Sequence, residues 1–253
     1  STEAGLVCAH KGEEVNADSV GPVLPSVEFK ISSEGEALIK GPSVFQGYYK
    51  NPEATRNALQ DGWYCSGDAM HVDEKGQVHF IDRVKEMGEL VGGVKYSPQY
   101  VESQLRFGAY IKDAMVTGGK EREFVGVIIN IDFESVSKWA EANRVSYTTF
   151  VDLSQKDEVA RLVLDDIERV NRTIPRDAQI RKFVLLHKEF DPDEAELTRS
   201  RKLRRDFVEK KYADLIDAIY SDKQKVAVEA TVSYSNGRTG TVKTEISIRQ
   251  MEE

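Results

Sequence analysis

Two periods of hydrophobicity divide this chain, and the change from one to the other falls at Val84 to Glu86. Ahead of it, Val27, Phe29 and Ile31 alternate with polar neighbours, as do Leu6 and Cys8. Gly21-Pro22, Ser32-Ser33-Glu34-Gly35 and Gly41-Pro42 punctuate these short runs. Alternation between turn formers predicts strands with one buried face, arranged as a hairpin or a small barrel. Asn51-Pro52-Glu53 predicts a short helix. The asparagine caps it, the proline needs no amide partner at the first position, and the glutamate faces the positive end of the helix dipole. Gly62 onward reads as a turn, a strand ending in Ser66-Gly67-Asp68 and a turn at Asp73-Glu74-Lys75-Gly76. A second strand, Gln77 to Ile81, runs into Asp82-Arg83.

Beyond Glu86 the pattern becomes helical and more charged. A polar bend leads to Gly92-Gly93, and Ser97-Pro98 starts a helix through about Phe107. Ala114 to Thr117 and Phe124 to Ile131 are expected strands, followed by helices over about Phe133 to Asn143 and Gln155 to Thr173. Val159, Leu162, Val163, Ile167 and Val170 form the apolar face of the second, which Pro175 stops. Ile180 to His187 predicts another strand. An amphipathic helix then carries Val208, Tyr212, Leu215, Ile216 and Ile219 on one side. Residues 222–253 close the chain as a hairpin. Val226, Val228, Ala230 and Val232 lie on one arm, Val242, Thr244, Ile246 and Ile248 on the other, and Asn236-Gly237 at the turn. That hairpin covers the sheet of the second domain or forms an interface. The expected fold is α+β: a β-rich, small barrel-like subdomain over 1–84, then a compact α+β domain over 85–253 with the hairpin as its extension.

Composition narrows the function. At 253 residues there is length for one or two buried cores. A net charge of -8 argues against a general nucleic-acid binder. No apolar run is long enough to span a bilayer. Cys8 and Cys65 stand far apart, as suits reduced thiols in a cytosolic protein, and Asn171-Arg172-Thr173 is then an incidental sequon. His10, His71, His79 and His187 are scattered, and Cys8 with His10 is half a metal site without a second half. Gly118-Gly119-Lys120 is no phosphate loop, since Ala114 stands where the first glycine belongs and Glu121 follows the lysine. Nor is there a Gly-x-Ser-x-Gly nucleophile elbow.

Two stretches carry candidate chemistry. Asp68, just past Ser-Gly, can accept hydrogen bonds from a sugar diol, and Arg83 at the end of the next strand can donate beside it. On spacing alone the same stretch is a pair of β-turns with surface charges. Arg199, Arg201, Lys202, Arg204 and Arg205 crowd one short run. It is a phosphate-binding patch or simply the solvated start of a helix.

The order GWYCSGD, IDRVKE, GGVKYSP and then ELTRSRKLRR resembles the AMP-forming acyl-CoA synthetases. The resemblance implies that Asp68 and Arg83 hold the ATP ribose, that Thr2 touches the AMP phosphate and that Glu3 holds Mg2+. It further implies that Lys85 is the hinge of a mobile C-terminal lid domain, with Gly92 and Gly93 on the CoA side and Lys202 as the catalytic lysine. Residues 1–84 then form the C-terminal portion of the large adenylate-forming domain. The resemblance implies as well that the chain is a fragment, inactive by itself, lacking the phosphate loop and acyl pocket. Many relatives carry glycine directly before the lysine, where this chain has Arg201. Lys-Leu-Arg-Arg and the spacing of Tyr212 and Tyr220 are more similar to long-chain fatty acid–CoA ligases. ATP, a fatty acid and CoA are the implied substrates. The implied location is cytoplasmic, with peripheral membrane association through the absent N-terminal part. A shorter or aromatic acid, a carrier-protein thiol acceptor, and a non-catalytic nucleotide-binding module stand as alternatives.

Overall fold

The computed structural model of the chain describes residues 1–12, 15–16, 19–233 and 239–251, with the backbone alone over 229–233 and 239–242. The chain folds into two compact units, Ser1–Met87 and Gly88–Glu253.

The first unit is built on five strands: β1 (Glu28–Ile31), β2 (Glu36–Lys40), β3 (Leu59–Gln60), β4 (Trp63–Val72) and β5 (Val78–Arg83). All pairings are antiparallel, and β3 and β5 both pair with β4. Of the two arrangements that the alternation allowed, β1 and β2 form the hairpin, and the sheet stays open instead of closing into a barrel. Among the described residues β1 pairs with β2 alone, and β3 and β5 pair with β4 alone, so no ladder joins the edges. Cys8 joins only an isolated bridge with Val23. Helix α1 (Pro52–Ala58) starts as its sequence predicts, with the Asn51 side chain accepting from the amide of Ala54.

Strand β4 runs on to Val72, past the end expected at Asp68. Opposite β2, the register slips between the Glu36–Ala69 and Leu38–Cys65 pairs, so Ser66, Gly67 and Asp68 bulge out. Side chains satisfy the displaced backbone. Glu36 accepts from the amide of Gly67 at 2.8 Å, and the Ser66 hydroxyl donates to the carbonyl of Ala37 at 2.7 Å. Gly67 adopts φ +72°, a conformation that a residue with a Cβ takes only at a cost. The bulge lets the strand continue while re-aiming Asp68.

In the second unit a small ladder, β6 (Gly88–Glu89) with β7 (Lys95–Tyr96), precedes α2 (Pro98–Arg106), whose Ser97 cap accepts from Tyr100. Strands β8 (Ile111–Thr117) and β9 (Val125–Ile131) are antiparallel, and β10 (Ile180–Leu185) lies parallel to β9. Between β9 and β10 run α3 (Phe133–Ala142), α4 (Phe150–Ser154) and α5 (Asp157–Asn171). After β10 come α6 (Arg205–Lys211), α7 (Ala213–Ile219), β11 (Lys225–Ser233) and β12 (Thr239–Gln250).

Every residue of β9 is buried because both faces are covered. Val127 and Ile129 face a cluster with Leu105, Val136, Leu153, Val163 and Ile167. Ile128 faces Val208, Leu215 and Ile219 on the other side. Burying each such aliphatic side chain contributes about 1.5–3 kcal/mol. On α5, Leu162 is only half-buried, whereas Val159, Val163, Ile167 and Val170 are fully covered.

Two expectations change here. The single amphipathic helix after Arg205 is broken at Tyr212, which has φ -105° and ψ 24° and donates its hydroxyl to Glu196. The terminal hairpin does not lie over the sheet; it extends it. Ile248, Arg249 and Gln250 of β12 pair with Val184, Phe183 and Lys182 of β10, and β11 pairs with β12. Open backbone groups on β10 take β12 as a neighbour, and Val226, Val228, Ile246 and Ile248 reach the second cluster. The Asn236-Gly237 turn lies outside the described residues, as do the faces of Ala230, Val232 and Val242.

Candidate functional site

Asp68 and Arg83 stand opposite each other on β4 and β5, and one Arg83 nitrogen lies 2.8 Å from Asp68 Oδ1. The same nitrogen donates to the carbonyl of Ser66 at 3.3 Å. Beside them opens a cavity of about 220 Å³, lined by Asp68, Ser66, Met70, Ile39, Phe29 and residues of the Ser1–Cys8 segment. Burial pushes the Asp68 carboxyl above the ordinary carboxylate range, and the Arg83 guanidinium pulls it part of the way back. A partly desolvated carboxylate beside a cation suits a neutral ligand rich in hydroxyl donors.

The terminal segment reaches the same region. Glu3 accepts from the Tyr48 hydroxyl at 3.0 Å, and its carbonyl accepts from the amide of Phe45. Tyr64, buried beneath, feels the charges of both Glu3 and Asp68. The Glu3 carboxyl is held below its usual range by its own backbone amide and then by Tyr48. Thr2 is exposed. Among the described residues no three His, Cys, Asp or Glu side chains gather as a metal cage. Glu3 alone, ionised and open to solvent, fits the kind of site in which one carboxylate and substrate phosphates share a Mg2+ ion.

Lys85 lies in a single 3₁₀ turn, Val84–Glu86, at the end of the first unit, with its side chain exposed and 3.8 Å from Glu86. Gly92 and Gly93 occupy a tight loop in the second unit with φ +82° and +81°. Leu90 donates to the carbonyl of Val94, and Gly93 donates to that of Leu90. A Cβ on either glycine would meet nothing within 4 Å, so the loop backbone is open to an approaching ligand.

Lys202 sits on a different loop of that unit, a small hairpin. Leu197 bridges Leu203, the Thr198 amide donates to the carbonyl of Lys202 at 2.8 Å, and the Arg201 amide donates to the carbonyl of Thr198 at 2.9 Å. The Thr198 hydroxyl accepts from the amide of Lys202 at 3.0 Å. Arg201 has φ +59°. Such a turn followed by a left-handed residue is the three-residue hairpin with a bulge, where glycine is the favoured occupant. Arg201 therefore holds a conformation that glycine adopts freely, so the loop keeps its shape without one. Arg201→Gly is expected to leave the chain about 1 kcal/mol more stable than Arg201→Ala. Urea unfolding followed through Trp139 in a Trp63→Phe background reads this; equal midpoints would mean that no strain resides there.

Two neighbours of this loop went unnoticed in the sequence. Glu196 is fully buried, and Glu102 of α2 nearly so. Glu196 accepts from Lys188, Lys211, Tyr212 and the amide of Asp191. Glu102 accepts from Arg205 and from the amide of Val116. Glutamate ahead of a Leu-Thr pair was the only available signal, and it is indistinguishable from surface charge until its donors are known.

A family model described as AMP-binding enzyme C-terminal domain matches residues 88–224. The chain belongs to that family. The match covers most of the second unit, including Gly92, Gly93 and the Lys202 hairpin, and stops just before β11. Among curated proteins, the long-chain-fatty-acid–CoA ligase FadD15 of Mycobacterium tuberculosis is 32% identical over 222 residues, 87% of this chain and 37% of that protein. Human long-chain-fatty-acid–CoA ligase 1 is 31% identical over 195 residues, 74% of this chain and 27% of that protein. The chain thus spans about a third of the length of these relatives. The adenylation domain of a carboxylate reductase from Mycobacterium chelonae shares the fold, with a TM-score of 0.57 at 22% identity over 88% of this chain and 34% of that one. MatB from Rhodopseudomonas palustris does so with a TM-score of 0.55 at 19% identity, over 85% of this chain and 40% of that one.

Proposed function

We propose that this chain is the C-terminal part of an AMP-forming fatty acid–CoA ligase acting on long-chain substrates. One observation carries the reading: 87% of the chain aligns at 32% identity with a long-chain-fatty-acid–CoA ligase. The Asp68–Arg83 pair and its adjoining cavity support it, because they offer a ribose the acceptor and donors it needs.

In the reaction, a carboxylate oxygen attacks the α-phosphorus of ATP and the bond to pyrophosphate breaks, leaving acyl-adenylate. The sulfur of CoA, its thiol proton lost, then attacks the acyl carbon and AMP departs. Asp68 accepts from the ribose hydroxyls while Arg83 donates beside it, and Thr2 donates to the AMP phosphate. Lys202 offsets the repulsion between two anions as they meet, a task that needs a cation in place before reaction. Mg2+ held by Glu3 supplies further charge neutralisation at the phosphates when bound. Lys85 serves as the hinge that replaces Lys202 with the Gly92-Gly93 loop between the two steps, and those glycines leave room for a narrow thiol arm. Among the described residues no helix is long and apolar enough to cross a membrane. On this reading the protein works in the cytoplasm and meets a membrane through its remaining part.

The test uses the full-length protein with ATP, Mg2+, CoA and carboxylic acids of graded length. AMP and pyrophosphate are expected to form in equal amounts with the acyl-CoA, best with long-chain acids. ADP in place of AMP would sink the reading, and preference for a short or aromatic acid would move it to another branch.

A further inference from the structure

Lys202, exposed, stands on a hairpin whose two feet are tied down by buried charge. At the first foot the Glu196 carboxylate accepts from Lys188 at 2.9 Å, Lys211 at 2.8 Å, the Tyr212 hydroxyl at 2.7 Å and the amide of Asp191 at 2.8 Å. Burial by itself would raise the pKa of that carboxyl. The bonds from Lys211, Tyr212 and Lys188 outweigh it, so the group stays ionised. Lys188 and Lys211 are in turn shared with Glu194. At the second foot the Arg205 guanidinium donates to the carbonyl of Val116 at 2.7 Å and to Glu102. Glu102 also takes the amide of Val116 at 2.8 Å. The feet are joined by the Arg204 amide, which donates to the carbonyl of Glu196 at 2.9 Å.

The result is a loop fixed along both arms while Arg199, Ser200, Arg201 and Lys202 at its tip are exposed. A buried carboxylate with four donors contributes little net stability compared with a well-packed apolar group, but it tolerates only one geometry. Arg205 acts likewise, because a planar guanidinium cannot reach both Val116 and Glu102 from another position. The two anchors also bind different parts of the unit: Glu196 is held from the segment after β10 and from α6–α7, Arg205 from α2 and β8. Neither substitutes for the other.

We propose that Glu196 and Arg205 are positioning residues that fix the Lys202 hairpin, so that a long, flexible side chain starts from one place. The proposal rests on the reading of Lys202 as the lysine of adenylation. A displacement of about 1 Å at a reacting group can cost about a hundredfold in rate. Loosening one foot, with the other intact, is expected to cost about tenfold.

The experiment takes Glu196→Gln, Arg205→Ala and Arg205→Lys in the full-length protein. Amide hydrogen exchange at Arg201 and Lys202 is expected to quicken about tenfold or more in the first two, with β9 amides unchanged. Single-turnover acyl-adenylate formation should fall about tenfold, with the KM for ATP within about twofold of wild type. Thioester formation from supplied acyl-adenylate should be unaltered. Arg205→Lys, which keeps the charge and loses the fork, should lie between alanine and wild type. Unchanged exchange at Arg201 and Lys202 would overturn the proposal. So would equal loss of both half-reactions with loss of β9 protection, which would mark the anchors as general props of the fold. Faster exchange with adenylation unaltered here and in Lys202→Ala would uphold the anchors and overturn the reading of Lys202.

Discussion

Lys202→Ala in the full-length protein is expected to slow acyl-adenylate formation by about a hundredfold to a thousandfold. Thioester formation from supplied acyl-adenylate should remain nearly at the wild-type rate. The asymmetry follows from where negative charge accumulates. Only the first half-reaction brings a carboxylate against the α-phosphate of ATP, and only there does a cation on the attacking side lower the barrier. Because the Lys202 side chain is exposed, its removal leaves no buried hole and no orphaned partner. The backbone bonds of its hairpin, Thr198 to Lys202 and Arg201 to Thr198, survive the substitution. Loss of activity therefore reports on the ammonium group and not on folding. Single-turnover kinetics of each half-reaction decides the matter: equal loss in both would mean that Lys202 is one charge among several at a helix start.

Asp68→Ala should weaken ATP binding in the full-length protein by about 1.5–3 kcal/mol, which is about 10- to 150-fold in Kd. On the proposed reading a charged acceptor for two ribose hydroxyls is lost, and the hydroxyls must leave water without compensation. Arg83→Ala should act in the same direction but less, since the Arg83 side chain is 57% exposed and its charge is screened. The bulge that presents Asp68 depends on Ser66, Gly67 and Glu36, none of which is altered, so Asp68→Ala leaves the sheet intact. Calorimetric titration with ATP measures the change, and an unaltered affinity would remove Asp68 from the ribose.

Periodicity carried the regular elements well where one face alone is buried. Strand β1, the starts of β4 and β5, the capped starts at Asn51 and Ser97 and the apolar face of α5 follow from local pattern and cap chemistry. The alternation at Leu6 and Cys8, by contrast, forms only an isolated bridge, and the two-residue β3 shows no period. Helix α4 escaped notice because five residues hold barely more than one turn, too few to show a period. The break at Tyr212 was equally invisible. Its apolar spacing continues the helix, whereas its backbone at φ -105° and ψ 24° departs from helical geometry, which no spacing records.

The sequence by itself determined most of the longer strands and the caps, because each depends on neighbours within a few positions, and the order of its motifs along the chain gave the family and a short roll of candidate residues. Tertiary structure alone decided how those residues are presented. Asp68 lies in a bulge that needs Glu36 on another strand and lines a cavity there, and Arg83 is brought against it by pairing across β4 and β5. The Lys202 hairpin is tied down by Glu196 and Arg205 through partners as distant as Glu102 and Val116. The terminal hairpin joins the sheet edge because β10 has backbone groups to satisfy there. Hydrophobic spacing records which residues are buried, since apolar burial is non-directional and averages over many contacts. Ion pairs and bulges depend on single directional contacts between distant positions, and no local pattern encodes those.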